Sequence, residues 1–150
     1  MAHHNPAIYY LGLAAQCAAR DVPLRDAPDI SARFTFITPN NCHNMHSCTT
    51  SAVREGDNWL SQFIPQLLRS AEYRAGRTAI FLTWDEDDFN SANGNDIATL
   101  VVAPSTPAGA RSSTRYDHYA MLRTTEEMLG LPTTLGAAAS APSMRSAFGL

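Results

Sequence analysis

Lysine is absent from this chain: all eleven basic residues are arginine, which reflects coding bias and carries no functional weight. The positive charges are few and scattered, and the net charge is −3. No basic stripe exists that could neutralise a run of backbone phosphates, so a nucleic-acid partner is not expected. Long apolar runs are missing too. None approaches the ~18–20 residues of a membrane helix, so no transmembrane segment is expected. The start, Met1-Ala2-His3-His4-Asn5-Pro6, has no cationic stretch followed by an apolar one, so no signal peptide is read in this chain. Cysteine is scarce, with Cys17, Cys42 and Cys48 the three present. Cys42 and Cys48 share a polar loop and are near enough to bridge if it turns back; the other reading is a pair of small buried thiols. A bridge would leave Cys17 odd, which hints at a missing partner.

What is present is ordinary for a folded domain. The 150 residues are 45% hydrophobic and 17% charged, enough for one core and too apolar for a disordered chain. Phe34–Thr38 carries strand residues and stops at the turn signal Pro39-Asn40-Asn41. Leu60, Phe63, Ile64, Leu67, Leu68 and Ala71 form a helical stripe, with Asp57 as its expected N-cap. Pro65 either kinks that helix or opens a second one. Thr78–Trp84 and Ile97–Ala103 read as strands buried on both faces. Tyr119, Leu122, Glu126 and Leu129 share one face of a last helix, with His118 as its expected cap. Gly130 and Pro132 stand where that helix should stop. The Ala-rich segment from Gly136 to Pro142 is expected to wrap the surface. This order predicts the α/β class, with a mostly parallel sheet flanked by helices and no second domain.

Two polar clusters follow directly after strands. One runs from Pro39 to Ser47; the other is Asp85-Glu86-Asp87-Asp88. Ligands of open α/β sheets bind outside the carboxyl ends of strands, so parallel strands would bring both clusters to one edge. Adjacent carboxylates suit a hard divalent cation, and a nearby histidine suits a phosphate oxygen. The plainer readings stay open. Asp87 and Asp88, with Asn90, Asn93, Gly94 and Asn95, fit a solvated loop. Asp85 and Glu86 fit a cap, His43 and His46 exposed loop positions, and Trp59 and Trp84 the core.

The chain resembles the bacterial phosphoesterase family of acid phosphatases and phospholipases C, within the alkaline-phosphatase-like superfamily. The residues that carry the resemblance are His4-Asn5-Pro6 with Tyr9-Tyr10, FTFITPNNCHNMHSC at Phe34 to Cys48, and GDNWLSQFIPQLL at Gly56 to Leu68. FLTWDEDD at Phe81 to Asp88, LVVAPSTPAG at Leu100 to Gly109 and HYAMLRTTEEMLGLP at His118 to Pro132 continue it in order. The resemblance implies a partial alkaline-phosphatase-like domain, the carboxy-terminal portion of a metal-assisted hydrolase of phosphate esters. Asp85 and Glu86 match the family's acidic pair at the metal, so a divalent metal ion is the implied cofactor. His46 matches a catalytic histidine that contacts the phosphate or leaving group, and His4 and Asn44 fall at substrate-binding positions. The implied substrate is a small-molecule phosphate ester or a phospholipid, and the full-length family is typically secreted or periplasmic.

Two departures matter. Asn44 stands where the family usually has an aspartate, and Ser47 where another acid is common. The family's Glu-Asn ligands and its Ser or Thr nucleophile precede the His-Asn-Pro motif at which this chain starts. Thr49, Thr50 and Ser51 are poor substitutes, with no base adjacent. The isolated chain is therefore expected to be nearly inactive, and to self-associate through an exposed sheet edge. The alternative is a non-catalytic α/β module that keeps the fold without the chemistry.

Overall fold

Short 3-10 turns at Pro6–Tyr9 and Leu11–Leu13 lead into a two-turn helix, α1 (Ala14–Arg20), in the computed structural model, which describes residues 4–26, 28–46, 48, 50–87, 92 and 94–150. No helix or strand is described between α1 and α2 (Ala52–Arg69), which is reached through a polar turn at Asn41–His43. Its buried residues are Gly56, Phe63 and Leu67, spaced to fall on one face. The helix begins earlier than its apolar stripe suggested: Ser51 is the N-cap, and Asp57 lies inside the helix. Backbone bonding explains this, because Glu55 N–H already donates to the Ser51 carbonyl at 3.0 Å. Pro65 sits within α2, cannot donate to the carbonyl four residues back, and does not end the helix. These elements form one compact unit, residues 1–70.

The second unit, residues 71–150, opens with α3 (Ala71–Arg74) and holds two strands, β1 (Ile80–Thr83) and β2 (Thr99–Val102). They pair antiparallel, Ile80 opposite Val102 and Thr83 opposite Thr99, with the two threonine hydroxyls 2.8 Å apart. The α/β class stands, but the mostly parallel sheet is corrected for this pair. A parallel pair needs a crossover, usually a helix. No helix is described between β1 and β2. Asp87 N–H instead donates to Asn95 Oδ1 at 2.7 Å and Asp96 N–H to Asp87 Oδ2 at 3.1 Å, joining the two described ends of the connection.

Neither strand is buried on both faces, and Leu100 is half exposed. Phe34–Thr38 has no regular structure and joins no strand among the described residues, and Phe34 and Phe36 are exposed. Ser47, Thr49, Asp88, Asn90 and Asn93, which entered the sequence reading, lie outside the described residues.

The core of the second unit lies under α4 (His118–Leu129), where Ala120 and Thr124 are fully buried, with Ala138 and Met144 against them. Thr124 donates its hydroxyl to the Ala120 carbonyl at 2.7 Å and accepts from Met144 N–H at 2.9 Å. The segment expected to wrap the surface is a 3-10 helix, Gly136–Ser140, and its Ala138 is wholly inside. Asp117, not His118, caps α4, accepting from Ala120 N–H at 2.8 Å. Gly130 ends it in the left-handed region (φ 65°), where glycine escapes the Cβ clash, and Leu131 N–H returns to the Glu126 carbonyl. A final turn, α5 (Arg145–Phe148), closes the chain.

Glu127 ties this end of the chain together. The Ser143 hydroxyl and the Arg123 guanidinium beside it hold its carboxyl below the usual glutamate range. A carboxyl whose pKa is lowered by folding adds stability above its unfolded pKa and loses it as pH falls through the folded one. Protonation of Glu127 on acidification should therefore weaken its bonds to Ser143 and Arg123, while buried Met144 keeps the segment in place. In Ser143→Ala the Glu127 carboxyl should titrate at higher pH, as read by carboxyl NMR. An unchanged midpoint would remove the serine from this account.

Candidate functional site

The turn after Pro39 is built by asparagine. Asn40 Oδ1 accepts from Cys42 N–H at 3.0 Å and His43 N–H at 3.1 Å, and its carbonyl accepts from His43 and Asn44. Cys42 and Cys48 are joined by a disulfide, with Cα atoms 4.5 Å apart, so the bridged reading of the two holds. Cys17 is free and directs its thiol to the Ala7 carbonyl.

Inside the bridged loop the residues of the first polar cluster converge. Asn44 Nδ2 lies 3.0 Å from His4 Nδ1 and 3.4 Å from Asn41 Oδ1, and Asn44 Oδ1 accepts from His46 N–H at 3.0 Å. The His4 and His46 rings are 6.1 Å apart. Thr38 donates its hydroxyl to the His4 carbonyl at 3.0 Å, fastening the first segment to the one that ends at the turn. An amide nitrogen only donates, so Nδ1 of His4 is the acceptor and its ring proton sits on Nε2. His4, Asn44 and His46 thus form one group. Asp85 and Glu86 belong to the other unit, exposed directly after β1.

Two contacts seat the loop on α2. His43 stacks on Trp59 (5.4 Å, 8°), and Trp59 on Phe63 (4.4 Å, 17°). Trp59 is part of this row, not a fully buried core residue. Met45, held at φ 68°, covers buried Gly56. A Cβ on Gly56 would overlap the Met45 side chain and come within 3.2 Å of the His43 carbonyl oxygen. The left-handed backbone at Met45 costs about 1 kcal/mol, so only a specific packing partner keeps it. In Gly56→Ala, overpacking of about 1–3 kcal/mol should exceed the helix-propensity gain of about 1 kcal/mol. The pair Gly56→Ala with Met45→Gly removes the overlap and suits the positive φ. Urea unfolding should show the single variant below wild type and the double variant above the single one. Additive losses would sever the link.

Sequence reasoning missed two residues here. Gly56 was given no role of its own; its signal was its place within the run that leads to the α2 stripe. His118 was read as a cap, yet its Nε2 meets the Asp85 carbonyl at 2.8 Å and so fixes the backbone of the acidic pair from the start of α4. Among the described residues no three His, Cys, Asp or Glu side chains gather as a metal shell. No helix among them is long and apolar enough to cross a membrane.

The model of the Phosphoesterase family matches residues 32–132. The phosphatidylinositol-3-phosphatase of Mycobacterium tuberculosis is 31% identical over 115 residues, 77% of this chain and 36% of that protein. An acid phosphatase of Aspergillus niger is 32% identical over 104 residues, 67% of this chain and 24% of its own. One of these relatives is fungal, so the likeness is not confined to bacteria. No solved structure matches the chain. It spans about a third of the mycobacterial relative's length and about a quarter of the fungal one's.

Proposed function

This chain belongs to the phosphoesterase family, and from that premise we propose that it supplies the phosphate- and leaving-group-contacting part of a longer phosphoric ester hydrolase, of acid phosphatase or phospholipase C type. The observation that carries the proposal is the His4–Asn44–His46 group, which lies partly in the matched region and brings two imidazoles to one loop. As an ester P–O bond breaks, negative charge grows on the phosphoryl and leaving oxygens. Imidazole N–H groups held in place stabilise that charge, and a protonated His46 can pass its proton to the leaving oxygen. Asn44 keeps the His4 proton on Nε2 and so sets it as a donor. The substrate is a small-molecule phosphate ester or a phospholipid.

The resemblance also implies a divalent metal. Asp85 and Glu86 offer oxygens of the right hardness, but the described residues do not complete a shell around them. The pair is proposed as part of a metal site whose other ligands are further residues, and no step is derived through the ion. The larger parallel sheet of an alkaline-phosphatase-like domain belongs to the same proposal, because exposed Phe34, Phe36 and Leu100 are surfaces it would cover. Without such cover, these surfaces favour pairing with another copy. The Cys42–Cys48 bridge suits an oxidising compartment, which supports a secreted or periplasmic protein.

Titration with inorganic phosphate, followed through the histidine ring signals by NMR, tests the reading. The His4 and His46 resonances should shift together, with a Kd on the order of millimolar. His46→Ala should weaken binding by about tenfold, as expected for one lost charge-assisted hydrogen bond. Rings that ignore phosphate would leave a non-catalytic module in place of the hydrolase.

A further inference from the structure

Beside the bridged loop lies a groove of about 430 Å³ between Arg25-Asp26, the Asn40–His43 turn and α2. We propose that it is the leaving-group subsite of the phosphoesterase site, shaped for an uncharged, hydroxyl-bearing ring such as a sugar carried on the phosphate. This inference rests on the functional reading above and adds the substrate class to it.

Its volume is in the range of small-molecule sites, about 300–1,000 Å³. One wall is the rim of the stacked row His43, Trp59 and Phe63, whose rings cover one another's faces, with Phe63 largely buried behind it. Neutral amides from Asn40, Gln62 and Gln66 face the same space. The Asn40 side-chain oxygen is occupied by the turn, while its amide nitrogen takes no partner among the described residues. The Gln62 side chain takes none there either. Arg25 and Asp26 offset each other in charge, so the groove gives no net attraction to a polyanionic leaving group.

Three occupants compete on these grounds. A plain alkyl chain would strip water from the amides without replacing its hydrogen bonds, which is costly. A flat aryl group would use the rings alone. A sugar-like ring lays its C–H groups along the rims of the stacked His43 and Trp59 rings and offers hydroxyls to the amides, and so suits both walls. Its position fits a leaving group as well. The turn that lines the groove runs on directly into Asn44 and His46, and Thr38, another lining residue, holds the His4 carbonyl.

The experiment compares glucose 6-phosphate, phenyl phosphate and inorganic phosphate on the full chain. The readouts are the His46 ring signals and the Trp59 indole signal, assigned by its loss in Trp59→Phe. Glucose 6-phosphate should shift both, and bind about tenfold tighter than inorganic phosphate. Gln62→Ala with Gln66→Ala should narrow that preference to about twofold, with circular dichroism confirming the fold. Phosphate shifting His46 while glucose 6-phosphate shows no preference would overturn the subsite and leave the functional reading standing. Phenyl phosphate binding as tightly as the sugar phosphate would overturn the assigned class. A Trp59 shift with no response at His46 would detach the groove from the phosphate site and overturn its role. Failure of inorganic phosphate to move His46 is the separate signature of a failed functional reading.

Discussion

Purified and supplied with Mg²⁺, Mn²⁺ or Ca²⁺, the 150-residue chain should hydrolyse a chromogenic phosphate ester at a rate within about twofold of the protein-free blank. Phosphoryl transfer needs an oriented nucleophile as well as stabilised charge. Orientation alone supplies about 7–11 kcal/mol of the barrier in well-placed systems, which is roughly five to eight orders of magnitude in rate. The groups gathered around Asn44 are two imidazoles and amides. Among the described residues no hydroxyl pairs with the His46 ring. Charge stabilisation without a nucleophile lowers a barrier that no group among the described residues is placed to cross. Asp85→Asn is the control. Robust turnover that vanishes in that variant would show a complete catalyst and overturn the prediction.

The antiparallel pair shows where reading the sequence went astray. Thr78–Trp84 and Ile97–Ala103 were both found as strands within a few residues of β1 and β2. Their relation was misjudged because near-continuous apolar runs suggest burial on both faces, hence parallel packing. The connection held the better signal. Its Asp, Asn and Gly residues contain no helical period, and such a segment returns the chain instead of crossing over the sheet. Phe34–Thr38 fared worse for a different reason. Its composition suits a strand, but a strand is realised only when neighbours pair with it, and pairing is non-local.

Helix ends divided along similar lines. Gly130 was legible because positive φ at a helix end selects glycine almost alone. Ser51 and Asp117 were not, since several polar residues compete for each N-cap and backbone bonding decides between them. In the site, the resemblance singled out His4, Asn44 and His46, and the structure brings them together. The packing that holds them, Met45 over Gly56 and His43 on Trp59, depends on tertiary contact and left almost no trace in local pattern.

Reduction of the Cys42–Cys48 bridge, or Cys42→Ser with Cys48→Ser, should lower the unfolding free energy of the first unit by about 2 kcal/mol, the loop-closure value for so short a ring. The consequence for the site should exceed the consequence for the fold. The first half of the loop has other anchors: the Asn40 side chain holds Cys42 and His43, His43 stacks on Trp59, and Met45 packs on Gly56. His46 has its backbone bond to Asn44 and the covalent tether at Cys48 beyond it. Loss of the tether should therefore broaden the His46 ring signals and abolish their response to phosphate, while the His43 signals change little. A Cys17→Ser background removes thiol exchange from the comparison. Urea unfolding measures the first effect and histidine NMR the second. An unchanged phosphate response at His46 in the doubly substituted chain would show that hydrogen bonds and packing alone hold the turn, and that the disulfide acts only on the unfolded state.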